Sequence, residues 1–363
     1  MTTYHPLLDL PPFPADRYSL LADRLKTLLA TRNDVVFVQA EAILALEAAA
    51  TSLGRPGLVV VSIVTSPYGG YFGDWLRRAG GEVHTVQAEP GRPIAVRAVD
   101  AALSTLPRVD LVAMVHAETS SGILNPLPEI AALVRSRGAL LVVDAVASVG
   151  GHALDVDALG IDVCAIGAQK ALAGPTALSA LSISPRAWAA MRPQPAPSSL
   201  SLLDLKANWL DRGRGVLPGM PAAIEFWALE AALDRVEAEG LVNVVARHAR
   251  AAEATRSGVR ALGIEPWETD PSRASALATA VAVPAAVEAN DLIARARGFG
   301  AVVNPGFGKT ATPLIRLDHT GQRARRADVL ANIMGLGAAL RSYGIEADIS
   351  VASDVVSEAY VTR

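Results

Sequence analysis

Residues 139–170 read ALLVVDAVASVGGHALDVDALGIDVCAIGAQK, and the fold is decided inside them. An apolar run, LLVV, ends at Asp144, and a second, VCAIG, ends three residues before Lys170. Apolar runs without polar alternation predict strands buried on both faces, as in a mostly parallel sheet covered by helices. The same alternation extends upstream. Strands are expected at 34–38, 58–64, 82–86 and 109–116, and helices at 18–31, at 41–53, around Trp75 after the glycine-rich YGGYFG (68–73), and at 127–137. TALSALSI (176–183) adds a further strand. The expected fold class is α/β, with a large doubly wound, mostly parallel sheet domain.

Downstream, 193–219 is irregular and rich in Pro and Gly, and helical pattern resumes at 222–238 and 241–262. ALATAVAVP (276–284), a helix at 286–298, AVVNPG (301–306), LIRLDH (314–319) and a helix at 327–342 make a small α+β unit. The chain therefore divides into a short N-terminal arm, 1–17, a large domain, 18–240, and a small C-terminal domain, 241–363.

Composition excludes several classes. Of 363 residues 51% are hydrophobic and 19% charged, which is neither a disordered chain nor a coiled coil. Lys+Arg 33 against Asp+Glu 36 leaves a net charge of -3 with no basic stripe, so nucleic acid is not expected as a partner. Cys164 is the single cysteine, which excludes an internal disulfide and a Cys-rich zinc site and suits a reducing cytoplasm. No basic-then-apolar leader opens the chain, and no segment reaches the roughly 18 apolar residues of a membrane span.

Asp144 is placed at the C-terminal end of a buried strand, where open α/β sheets bind ligands, and Lys170 follows the next strand. The pair admits two readings. It is a structural ion pair closing the sheet, or a pyridoxal phosphate site with the lysine as Schiff base and the aspartate on the pyridine nitrogen. Small residues around the lysine (Gly167, Ala168, Ala171, Ala173, Gly174) leave room for a flat ring. In VHAETSSGILNPL (115–127), His116, Glu118, Thr119, Ser120 and Ser121 cluster at a turn, either capping it or framing a ligand.

In this order and spacing, VDAVAS, GAQK and HAETSSG resemble the class V aminotransferases of the fold type I pyridoxal phosphate enzymes, over about residues 35 to 320. The resemblance makes Lys170 the Schiff-base lysine and Asp144 the partner of the pyridine nitrogen. It puts Val146 beneath the ring, Tyr68 on its other face, Thr119 near the ring oxygen and Gln169 beside the cofactor. Arg316 becomes the fork for the substrate carboxylate, a task that suits planar guanidinium. Glu118, read from the polar turn itself, is a candidate substrate-framing group. The resemblance also implies a homodimer with shared sites, small-molecule substrates and amino transfer from a donor to a 2-oxo acid such as pyruvate or glyoxylate. A lyase or decarboxylating deaminase acting on a bulky cysteine conjugate would use the same residues. A silent binding protein with this fold is disfavoured by the intact Asp144 and Lys170.

The chain departs from the family where the cofactor phosphate sits. A small-residue turn at a helix N-terminus suits that anion, but here the turn reads Gln39-Ala40-Glu41-Ala42. A carboxylate touching a phosphate costs about 1 to 4 kcal/mol, unless Glu41 only caps its helix and points away. The segment Gly219-Met220-Pro221 also lacks the Tyr and Thr that family members lend to a neighbour's phosphate. The run AEAILALEAAATSL (40–53) resembles a subgroup that handles the vitamer without its phosphate, so pyridoxal or pyridoxamine joins pyridoxal phosphate as an expected ligand. His152 and His319 are expected to be structural, and Cys164 inert core.

Overall fold

The structure, a computed structural model, describes residues 10–193, 198–285, 287–310 and 313–361. Residues 1–9 of the expected arm and Ala286, the expected first residue of a helix, lie outside the described residues.

The strands, in chain order, are β1 (Asp34–Val38), β2 (Val59–Val64), β3 (Glu82–Gln87), β4 (Leu111–Val115), β5 (Ala117–Glu118), β6 (Ile123–Leu124), β7 (Leu140–Asp144), β8 (Val163–Gly167), β9 (Ser179–Ile183), β10 (Ala278–Ala282), β11 (Val303–Pro305) and β12 (Leu314–Asp318). Seven of them form one sheet in the order β1-β9-β8-β7-β4-β2-β3. The pairs from β8 through β3 are parallel, and β9 runs antiparallel to both neighbours. Its reversal has a simple cause. Segment 168–178 contains no crossover helix, so β9 can only turn back beside β8. β4, β7 and β8 are buried at every position, as unbroken apolar runs require.

After α1 (Arg17–Leu28), two helices position the site: α2 (Ala42–Leu53) and α3 (Pro67–Arg78). The glycine-rich YGGYFG does not precede the helix of Trp75 but lies inside it. A Cβ on Gly69 would come within 2.7 Å of the Ile63 carbonyl oxygen, and one on Gly73 within 2.9 Å of Ser62 Oγ. Glycines four apart thus let α3 lie directly on β2, which offsets their helix cost of about 1 kcal/mol each.

The described part of the arm is packed. Phe13 lies 5.0 Å from Tyr18 and 4.9 Å from Trp227 by ring centroids, and Trp227 Nε1 donates to the Pro11 carbonyl. The second unit is a three-stranded antiparallel sheet, β10-β12-β11, covered by helices Leu241–Ala261, Ala289–Gly298, Arg326–Ser342 and Ile349–Val361. Sequence reasoning did not anticipate the last of these. The helix Leu241–Ala261 contributes Val244 to the core of the large sheet and Ala251 to that of the small one.

Candidate active site

Because β2, β4, β7 and β8 are parallel, their C-terminal ends open on one edge. The chain order reverses between β2 and β4, and such a switch point is where open α/β sheets hold ligands. A cavity of about 430 Å³ lies there, lined by Glu41, Ala42, Tyr68, Glu118, Thr119, Asp144, Val146, Lys170 and Arg316 among others. Nine of the ten residues singled out from the sequence therefore meet around one space. Gln169 is not in the lining but touches it through Glu41, its Nε2 donating to Glu41 Oε1 at 3.2 Å.

Asp144 closes β7, and its Oδ1 accepts the Val146 amide at 3.0 Å. Burial pushes its pKa up to about 6, against the Val146 amide and Lys170, with Glu41 adding to the rise. A buried carboxylate of this kind is stabilised by a cation in the cavity. Lys170 Nζ donates to Thr119 Oγ1 at 2.9 Å, and Arg316 Nη1 donates to the same oxygen at 3.2 Å. Burial lowers the Lys170 pKa; Asp144 opposes this and the charge of Arg316 reinforces it. Arg316 Nε is buried without a hydrogen bond, 3.5 Å from Asp318 Oδ1, so the guanidinium retains donor capacity.

Glu118 is 2% exposed and accepts Thr65 Oγ1 at 2.8 Å. Burial raises its pKa to about 7, opposed by hydrogen bonds from Ser66 and Thr65. Asn125 holds this turn, donating to Thr65 Oγ1 and to the Val115 carbonyl. Tyr68 stacks on Phe307 at 5.5 Å and 30° between ring planes. Thr65, Asn304 and Phe307 escaped the sequence reading. PGFG (305–308), an aromatic between glycines in a turn, was the signal for Phe307.

Glu41 is the N-cap of α2. Its Oε2 accepts the Ile43 amide at 2.8 Å, so the carboxylate both caps the helix and faces the cavity. Among the described residues, the cations lining this cavity are Lys170 and Arg316, both bonded to Thr119. The residues accordingly fit the pyridoxal ring, with Asp144 for its nitrogen and Lys170 for its aldehyde carbon. They fit the phosphate poorly, because a carboxylate already occupies the helix amide an anion would use.

The remaining candidates are structural. His152 Nε2 accepts the Ala276 amide and His319 Nδ1 bonds the Ala276 carbonyl oxygen; burial lowers their pKa values to about 4 and about 3. Cys164 is fully buried, and burial pushes its thiol pKa up. Among the described residues, no helix is long and apolar enough to cross a membrane, and no cluster of His, Cys, Asp and Glu could hold a metal.

Known proteins resemble this chain along most of its length. The family model Aminotransferase class-V matches residues 22–324. The pyridoxamine–pyruvate transaminase of Mesorhizobium japonicum is 36% identical over 332 residues, covering 90% of this chain and 84% of that protein. The alanine–glyoxylate aminotransferase of Callithrix jacchus is 30% identical over 315 residues, 85% of this chain and 76% of that one. The crystal structure of pyridoxamine-pyruvate aminotransferase from Mesorhizobium loti superposes with a TM-score of 0.89 at 33% identity, covering 95% of this chain and 88% of that one.

Proposed function

This chain belongs to the class V aminotransferases, pyridoxal phosphate-dependent enzymes, and from that premise we propose that it moves an amino group between a phosphate-free vitamer, pyridoxamine, and a 2-oxo acid such as pyruvate or glyoxylate. One observation carries the choice of vitamer: Glu41 lines the same cavity as Asp144 and Lys170 while its carboxylate holds the Ile43 amide in the first turn of α2. A carboxylate accepts a hydrogen bond from a hydroxymethyl group and repels a phosphate dianion.

The ring, when bound, supplies an electron sink that acidifies the hydrogen on the carbon bearing the nitrogen. Asp144 holds a proton on the ring nitrogen, and the low-dielectric setting that raises its own pKa strengthens that pairing. Lys170 would hold the ring at its aldehyde carbon and, as the free amine, would serve as the base that moves a proton there. Its depressed pKa leaves a larger fraction as free amine at neutral pH, the form that attacks and accepts protons. Thr119 orients the Lys170 amine through the 2.9 Å hydrogen bond. Val146 and Tyr68, both in the cavity wall, would hold the ring between them, and Gln169 steadies Glu41. Arg316 pairs with the 2-oxo acid's carboxylate, and Glu118 frames the substrate.

A homodimer in the cytoplasm completes this reading. It is supported by exposed apolar side chains around Gly219, namely Val216, Met220 and Ile224, with Met220 96% exposed, and by the free buried Cys164. The test incubates purified protein with pyridoxamine or pyridoxamine phosphate and with pyruvate or glyoxylate, following alanine or glycine by mass spectrometry. Turnover of pyridoxamine is expected to exceed that of the phosphate ester. Amino transfer from the ester alone would overturn the choice of vitamer.

A further inference from the structure

A second cavity of about 160 Å³ adjoins the first, and the two share Ser120 and Phe307 as wall. Most of its exposed wall is apolar, from Val64, Pro67, Ala88, the Phe307 ring and the bare backbone of Gly70 on α3, and polar groups, among them Gln87 and Lys309, complete it. A space near 150 Å³ is large enough for a benzene-sized group. We infer that this side cavity is a subsite for an apolar side chain, branched or aromatic, of the 2-oxo acid and of the amino acid formed from it. The inference rests on the transaminase reading and goes beyond it, since pyruvate carries only a methyl group.

The path to the subsite follows from strand register. Asn304 on β11 pairs with Arg316 on β12, and Phe307 lies three residues further along. Asn304, Phe307 and Arg316 all line the main cavity. A 2-oxo acid whose carboxylate sits on Arg316 therefore lies along segment 304–307, and its side chain meets the wall of Phe307 and Ser120. Phe307, 41% exposed and stacked on Tyr68, is part of the wall that the two cavities share, so it stands where a side chain would pass from one to the other. Gly70 keeps the far side free: a Cβ there would meet nothing within 4 Å. Burying an added methylene in such a pocket gives roughly 10–200-fold discrimination.

The test compares pyruvate, 4-methyl-2-oxopentanoate, phenylpyruvate and 2-oxoglutarate as acceptors for the holoenzyme and for Gly70→Leu. The leucine fits the open space, favours the helix, and fills the subsite. Its folding is checked by circular dichroism. Calorimetric binding of 3-phenylpropanoate against propanoate reads the same subsite without turnover. The wild type is expected to use phenylpyruvate or 4-methyl-2-oxopentanoate at least as efficiently as pyruvate. Gly70→Leu should lower that ratio of kcat/KM at least tenfold and weaken 3-phenylpropanoate relative to propanoate to a similar degree. An unchanged ratio of the two dissociation constants in Gly70→Leu overturns the subsite, as does a wild-type preference for 2-oxoglutarate. Absence of turnover with every acceptor, with the calorimetric difference intact, overturns the transaminase reading and leaves the subsite standing.

Discussion

Asp144 and Glu41 line one cavity, yet the chain treats their carboxylates differently. Asp144 ends a strand buried at every position, and the hydrogen bond described for it is one backbone amide. Burial then raises its pKa to about 6, so its charge is costly until a cation arrives. Glu41 sits between strand and helix, with one oxygen on the Ile43 amide and the other on Gln169. Its charge is already matched to the positive end of α2. An under-satisfied carboxylate marks where a ligand's positive group belongs, and a satisfied one marks where a ligand's negative group does not.

The largest expected effect tests the Asp144 side. Borohydride reduction of the holoenzyme should fix the pyridoxyl group on Lys170, and Lys170→Ala should abolish both that adduct and turnover. A pyridoxyl adduct retained in Lys170→Ala, found by peptide mapping, would remove the lysine from its assigned role. Asp144→Ala should follow with a loss in kcat of at least about a hundredfold, equivalent to about 2.7 kcal/mol, because the ring nitrogen loses its counter-charge. Near-normal turnover would mean that another carboxylate pairs with the ring.

Arg316→Ala should raise KM for pyruvate by roughly 30-fold or more, since losing one member of a buried charge pair costs about 2–5 kcal/mol. Arg316→Lys should restore only part of this, as a point charge cannot fork onto both oxygens. If KM stays put while kcat falls, the arginine holds Thr119 instead of the substrate.

Glu118 offers a third carboxylate for the comparison. Its folded pKa, about 7, lies above its ordinary 4.5, so its contribution to stability is present in full below about 4.5 and is lost as pH rises through about 7. That loss is on the order of 3 kcal/mol. Glu118→Gln removes it and keeps an acceptor for Thr65 Oγ1. In the cofactor-free protein the melting temperature of the variant, relative to wild type, should therefore be a few degrees higher at pH 8.5 than at pH 5. An equal difference at both pH values would show that Glu118 ionises without penalty.

The Asp144 side was legible in sequence because strands announce themselves as apolar runs and their last residues are then located to within one position. That placed Asp144 at a strand end and Lys170 three residues after the next, while choosing between an ion pair and a cofactor site took the resemblance of the surrounding segments. The Glu41 side was only half legible. Capping the helix and bordering the ligand space looked like alternatives, but Glu41 caps α2 and is also part of the cavity wall. The glycines of α3 misled for a related reason: they read as a loop until β2, a contact remote from local propensity, explains them. Phe307 and the side cavity arise from the meeting of two units separated in sequence, which no local pattern encodes.

The smallest expected effect is at Glu41, and it bears most directly on the comparison. If the carboxylate keeps phosphate out, Glu41→Ser should bind pyridoxal phosphate more tightly relative to pyridoxal. A unit charge about 4 Å from a phosphate charge is worth about 1 kcal/mol in water and about 4 kcal/mol near a protein surface. The half-buried position and the compensating amide of Ile43 favour the lower part of that range, so a shift of several-fold to tenfold in the ratio of dissociation constants is expected. Serine is chosen because it can still cap α2, which separates loss of charge from loss of the cap. Glu41→Gln provides the second arm, keeping the length and an acceptor while removing the charge. Equal ratios in all three proteins would show that the carboxylate acts on its own helix alone, and the proposal of a phosphate-free ring would lose the observation that carries it.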